Sequence, residues 1–129
     1  MTPQLDVVMR FKASDVIKAL ENELRLSQDL ALNLFQDTKK YLYVRERYKY
    51  KGRVPTKVLD IGWRTFIIHT QDYENFCREA FGYFVRYSPS TDAFVGITRD
   101  EGAVAIIAPH AYRHFGRGLS QNWGVMPRK

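Results

Sequence analysis

Val58-Leu59-Asp60-Ile61-Gly62-Trp63-Arg64-Thr65-Phe66-Ile67-Ile68, then His69, then Thr70-Gln71-Asp72-Tyr73-Glu74-Asn75-Phe76-Cys77-Arg78-Glu79-Ala80-Phe81 carries two helical signatures back to back. The first is apolar on nearly every side, broken only at Asp60, Arg64 and Thr65, which is the pattern of a buried helix. Pro55 suits its first turn. In the second, Tyr73, Phe76, Cys77, Ala80, Phe81 and Phe84 recur at three- and four-residue spacing. Thr70 reads as its N-cap, with Asp72 and Glu74 favourably placed at the positive helix end. The expectation is two helices packed across a tight corner.

Toward the N-terminus, Ser14-Asp15 starts a helix with Val16, Ile17, Leu20 and Leu24 on one stripe, ending near Arg25. Ser27-Gln28-Asp29 restarts one, and Ala31, Leu34, Phe35, Thr38, Tyr41, Leu42 and Tyr48 carry it to a stop at Gly52. Residues 2–12 alternate loosely, as a short strand or extended arm would. Toward the C-terminus, Tyr87-Ser88-Pro89-Ser90 reads as a loop. Val95–Thr98 and Ala103–Ile106, joined by Arg99-Asp100-Glu101-Gly102, read as a β-hairpin that ends at Pro109. Ala111–Phe115 is left as a helical turn, and residues 116–129 as an irregular basic tail. The fold expected is a single mostly α domain over residues 1–129, with about four principal helices and a small β-hairpin near the C-terminus.

Composition narrows the function classes. With 129 residues, 45% hydrophobic and 26% charged, the chain suits one folded domain and excludes disorder and low complexity. Its only cysteine, Cys77, permits no intrachain disulfide. The apolar run Ala103–Ala108 is far short of the ~20 residues a bilayer requires. The opening residues lack a secretory pattern, so a cytoplasmic protein with no membrane partner is expected. No Gly-rich phosphate loop, nucleophile elbow, His-Glu-x-x-His or paired-cysteine zinc pattern occurs, and no cofactor is expected.

The net charge of +6 is concentrated. Residues 39–53 carry Lys39, Lys40, Arg45, Arg47, Lys49, Lys51 and Arg53 against Glu46 alone, which equals the excess of the whole chain. Tyr41, Tyr43, Tyr48 and Tyr50 are interleaved with these cations. Lys and Arg neutralise phosphates while aromatic faces stack on bases. Lys39, Lys40, Tyr43, Arg45, Arg47, Lys49, Lys51 and Arg53 are therefore the candidate binding residues. The partner expected is a nucleic acid or an acidic protein surface, met by a non-enzymatic module; the alternative for the cations is the solvated face of a long helix. Lys39, Arg47 and Lys51 are expected on a common side. Arg113, Arg117, Arg128 and Lys129, with Trp123 on an exposed tail, would reinforce that surface if folded nearby.

The histidines offer a second possibility. His110 and His114 stand four apart, the spacing that places two imidazoles on one helix face, and His69 is a candidate third ligand. A metal-binding protein or metal-assisted enzyme built on His69, His110 and His114 is the alternative reading. His69 is also eight residues before Cys77, and a thiol beside an imidazole is a nucleophile. Cys77 lies in the apolar stripe, where a thiol is ordinarily a small core residue.

Asp60, Trp63, His69, Thr70, Tyr73, Phe76, Cys77, Gly82, Phe84 and Pro89 follow a spacing similar to that of small bacterial glycine-rich domain-containing proteins, related to part of the plant glycine-rich domain proteins. The resemblance spans about residues 59–89 and implies a helical core, with no activity attached. It also implies a packed polar constellation of Asp60, Trp63, His69 and Tyr73. Arg64 and Arg86-Tyr87 replace histidines of that pattern, so a metal site built on them would be lost here.

Overall fold

The computed structural model describes residues 2–87 and 97–125. Its axis is α3, Gln28–Arg47, capped by Ser27, whose side chain accepts from the Leu30 amide. Against it pack α1 (Leu5–Arg10), α2 (Ser14–Leu24), α4 (Lys57–Ile68) and α6 (Glu101–Phe115), while α5 (Thr70–Ala80) rests on α4 and α1. The mostly α expectation holds. Among the described residues there are six α-helices, one 3₁₀ turn at Gln121–Trp123 and no strand.

Three local expectations are corrected. Residues 5–10 form a short helix, because Leu5, Val7, Val8 and Met9 all pack against the core, which one face of a strand cannot provide. The hairpin is absent. Its second strand and the last two residues of its turn belong to α6, where the Asp100 carboxylate accepts from the Ala103 amide as N-cap and Ala103, Ile107, Ala108 and Ala111 bury a helical stripe. Val95 and Gly96, like Ser88–Ser90 of the expected loop, lie outside the described residues. Among the described residues the sheet character left is a single antiparallel bridge between Thr56 and Arg99. Lastly, Trp123 is buried rather than exposed. Ser120 Oγ and Asn122 Nδ2 donate to Asp37 on α3, at 2.6 and 3.0 Å, and tie this part of the tail to the core.

The α4–α5 corner forms as expected, but Pro55 precedes the cap of α4 instead of lying in its first turn, and the start of α5 is displaced by one residue. Thr56 caps α4, and His69 rather than Thr70 precedes α5. Phe66 of α4 sits at the aromatic centre, about 5.1 Å from Phe35, Tyr73 and Phe76. Such pairs each add roughly 0.5–1.5 kcal/mol beyond their burial. Trp63 Nε1 donates to Tyr73 Oη at 3.0 Å, and Tyr73 Oη donates to the Val85 carbonyl at 2.6 Å. That relay fixes the chain just after α5, where the candidate site lies.

Gly62 of α4 packs directly against Thr38 of α3. A Cβ there would stand 2.2 Å from Thr38 Oγ1.

Candidate functional site

The C-terminal end of α3 builds one wall of a cleft of about 790 Å³. Helical bonding ends because Lys49 adopts φ +53°, a left-handed conformation, and the Tyr50 amide returns to the Arg45 carbonyl at 2.9 Å. The loop that follows is anchored from beneath. Arg45 is buried, and its guanidinium donates to Tyr41 Oη at 3.1 Å and to the Gly52 carbonyl at 3.0 Å. It lies over the Trp63 ring at 5.0 Å and the Tyr50 ring at 5.7 Å. With Arg45 fixed below, Arg47, Lys49 and Lys51 stand exposed at the rim.

The facing wall is Tyr83-Phe84-Val85-Arg86. The helix α5 stops at Phe81, and Gly82 at φ +82° turns the chain back toward α3. Val85 is buried, whereas Tyr83 and Phe84 are 46% and 48% exposed. Phe84 is braced edge-on against Tyr73 at 5.2 Å. Tyr83 Oη donates to the Glu46 carboxylate across the cleft, and burial together with that carboxylate raises the phenol to about 12. Arg86 also lines the cleft, as do Thr2, Pro3 and Tyr50, so among the described residues five basic side chains share it with one acidic residue, Glu46.

Half of the eight binding candidates meet here: Arg45, Arg47, Lys49 and Lys51. The others are engaged elsewhere. Lys39 is 1% exposed and donates to the carbonyls of Met9 and Phe11 at 3.2 and 2.6 Å, which corrects its placement beside Arg47 and Lys51. It holds the chain that leaves α1. Burial, aided by Lys40, lowers this amine to about 8. Lys40 lies over the Phe115 ring at 5.2 Å. Tyr43 is buried, edge-on to His114 at 5.2 Å. Arg53 is paired with Asp100 at 3.6 Å. Tyr83, Phe84 and Arg86 were missed as site residues. Phe84 continues the spacing of the α5 stripe, yet the turn at Gly82 carries it out of the core.

The histidines do not gather. His69 Nδ1 lies 2.9 Å from the Thr65 carbonyl. His110 stacks on Tyr48 at 3.9 Å, and His114 Nε2 shares a 2.6 Å hydrogen bond with Tyr48 Oη. Burial and the nearby Arg47 lower the His114 imidazole. Among the described residues no group of three His, Cys, Asp or Glu is placed to hold a metal. Cys77 is buried and its thiol is raised by that burial, so it is poorly suited as a nucleophile. The expected polar constellation is divided: Trp63 joins Tyr73, while Asp60 accepts from Tyr87 Oη at 2.9 Å. Arg113 and Arg117 are exposed but do not line the cleft, and Arg128 and Lys129 lie outside the described residues. Among the described residues no helix is long and apolar enough to cross a membrane.

The sequence pattern of the UCP032817-like family matches residues 6–103, and the chain belongs to that family. This corrects the resemblance to glycine-rich domain proteins. Four residues of the shared spacing are ones that a packed helical corner needs: Trp63, Tyr73, Phe76 and Cys77 are all buried. No curated protein and no solved structure matches the chain significantly.

Proposed function

We propose that the protein is a non-enzymatic binding module that takes an anionic partner into the cleft between the end of α3 and Tyr83–Arg86. One observation carries this reading: Arg45, Arg47, Lys49, Lys51 and Arg86 converge on a single recess with one carboxylate among them. Convergent cations raise the local potential and attract an anion from beyond contact range. The expected surface of residues 39–53 thereby contracts to residues 45–51 and acquires a second wall.

The test is a titration with heparin at low salt, comparing the parent with an Arg47→Gln, Lys49→Gln, Lys51→Gln variant. The parent is expected to bind and the variant to lose most of that binding. Its unfolding midpoint should barely move, because exposed charges contribute little to stability. No binding by the parent, or equal binding by both, would overturn the reading.

A further inference from the structure

We infer that the anionic partner is a single-stranded nucleic acid, its bases stacked on Phe84 and Tyr83 and its phosphates held by Arg47, Lys49, Lys51 and Arg86. The inference rests on the anion-binding reading and adds the chemistry of the partner.

A simple anion site needs charge and hydrogen-bond donors. This cleft also presents two aromatic rings about half exposed, and rings of that size are normally covered in a folded domain. Both are held in place. Phe84 is braced on Tyr73, whose hydroxyl is fixed by Trp63 and by the Val85 carbonyl. Tyr83 leans on Phe81 at 6.2 Å and is tethered to Glu46. Rings ordered before binding lose little entropy when a base stacks on them.

The two rings also line a second recess of about 550 Å³ that contains Arg78. Phe84 and Tyr83 thus separate the larger cleft, with Arg47, Lys49, Lys51 and Arg86, from the smaller recess, where Arg78 donates to Asn75 and stands with Glu74. A flexible strand can lie along these rings with its bases stacked on them and its phosphates held in the larger cleft. A duplex cannot do so, because its bases are already stacked and paired inside. An acidic protein surface would use the cations and leave the two rings without a stacking partner.

The experiment measures binding of a mixed-sequence single strand of about 12 nucleotides, a length within the site sizes of single-strand grooves. An abasic strand of equal length, the corresponding duplex and polyglutamate are measured alongside at two salt concentrations. The base-bearing single strand is expected to bind tightest. Phe84→Leu should weaken it roughly 5- to 150-fold, the loss of about one stacked base, while leaving the abasic strand unaffected. Phe84→Trp and Tyr83→Phe retain a stacking face and should retain binding, which separates stacking from a fault in folding. If the abasic strand or the duplex binds as tightly as the base-bearing strand, stacking is refuted and the anion reading stands. Binding of polyglutamate without binding of nucleic acid refutes the inference in favour of an acidic protein. If no polyanion binds, the anion reading itself fails.

Discussion

At the scale of single residues, burial decides what each side chain is free to do. Lys39 looks like part of a cationic run, yet its amine bridges two carbonyls at the C-terminal end of α1, those of Met9 and Phe11. Lys39→Met keeps the stem but leaves those carbonyls unserved. It should cost about 1–3 kcal/mol in denaturant unfolding with no effect on anion binding. Gly62 offers a complementary case. Gly62→Ala gains about 1 kcal/mol of helix propensity but drives a methyl into Thr38 Oγ1. A net loss of about 1–3 kcal/mol is expected, the usual cost of overpacking, and Thr38→Ala in the same chain should recover much of it. If the two changes are additive, the contact is not what requires glycine.

At the scale of elements, periodicity reported well wherever a stripe was long and closed by a cap. The helices near 14–24, 28–47 and 57–68, and the corner into α5, were legible because their apolar residues recur over three or more turns. The helix α6 was not. Ala103-Val104-Ala105-Ile106 is too short an apolar run to reveal its period, and Pro109 suggested a stop. Pro109 in fact lies within the helix, and Ala105, whose carbonyl it cannot serve, is exposed to water. The useful signal was Asp100-Glu101, an N-cap and first-turn acid, which the hairpin reading treated as a turn. Pro109→Ala restores the missing donor and should stabilise the protein by roughly 1–3 kcal/mol in thermal or urea unfolding. An unchanged midpoint would mean that the helix already accommodates the proline without cost. The site was half legible for a similar reason. Charge clustering identified Arg45, Arg47, Lys49 and Lys51, but the wall at Tyr83–Arg86 depends on a left-handed turn at Gly82 and on long-range packing that a one-dimensional pattern does not contain.

At the scale of the whole molecule, the buried titratable groups set an alkaline signature. Lys39 is held near 8 in the folded state against an ordinary 10.5, so between those values the unfolded chain binds the additional proton. The contribution of Lys39 to stability should therefore rise with pH across that window, opposed above pH 9 by Cys77, whose thiol burial raises. Burial raises Tyr41, Tyr73 and Tyr87 above their ordinary 10, Tyr87 to about 12. Above pH 10 the unfolded chain releases protons that the folded state keeps, and stability should fall. Urea midpoints measured from pH 7 to 11 should rise from about pH 8 and then decline, and Lys39→Met should abolish the rise alone. We propose one cleft, formed by the end of α3 and the chain after α5, as the place where the partner binds. Its most direct test is a map of backbone amide chemical shifts during titration with a short single-stranded oligonucleotide. Perturbations are expected to concentrate at residues 45–51 and 82–86, with little change at Arg113, Arg117 or the histidine pair on α6. Perturbations centred on α6, or spread evenly over the exposed cations, would contradict it.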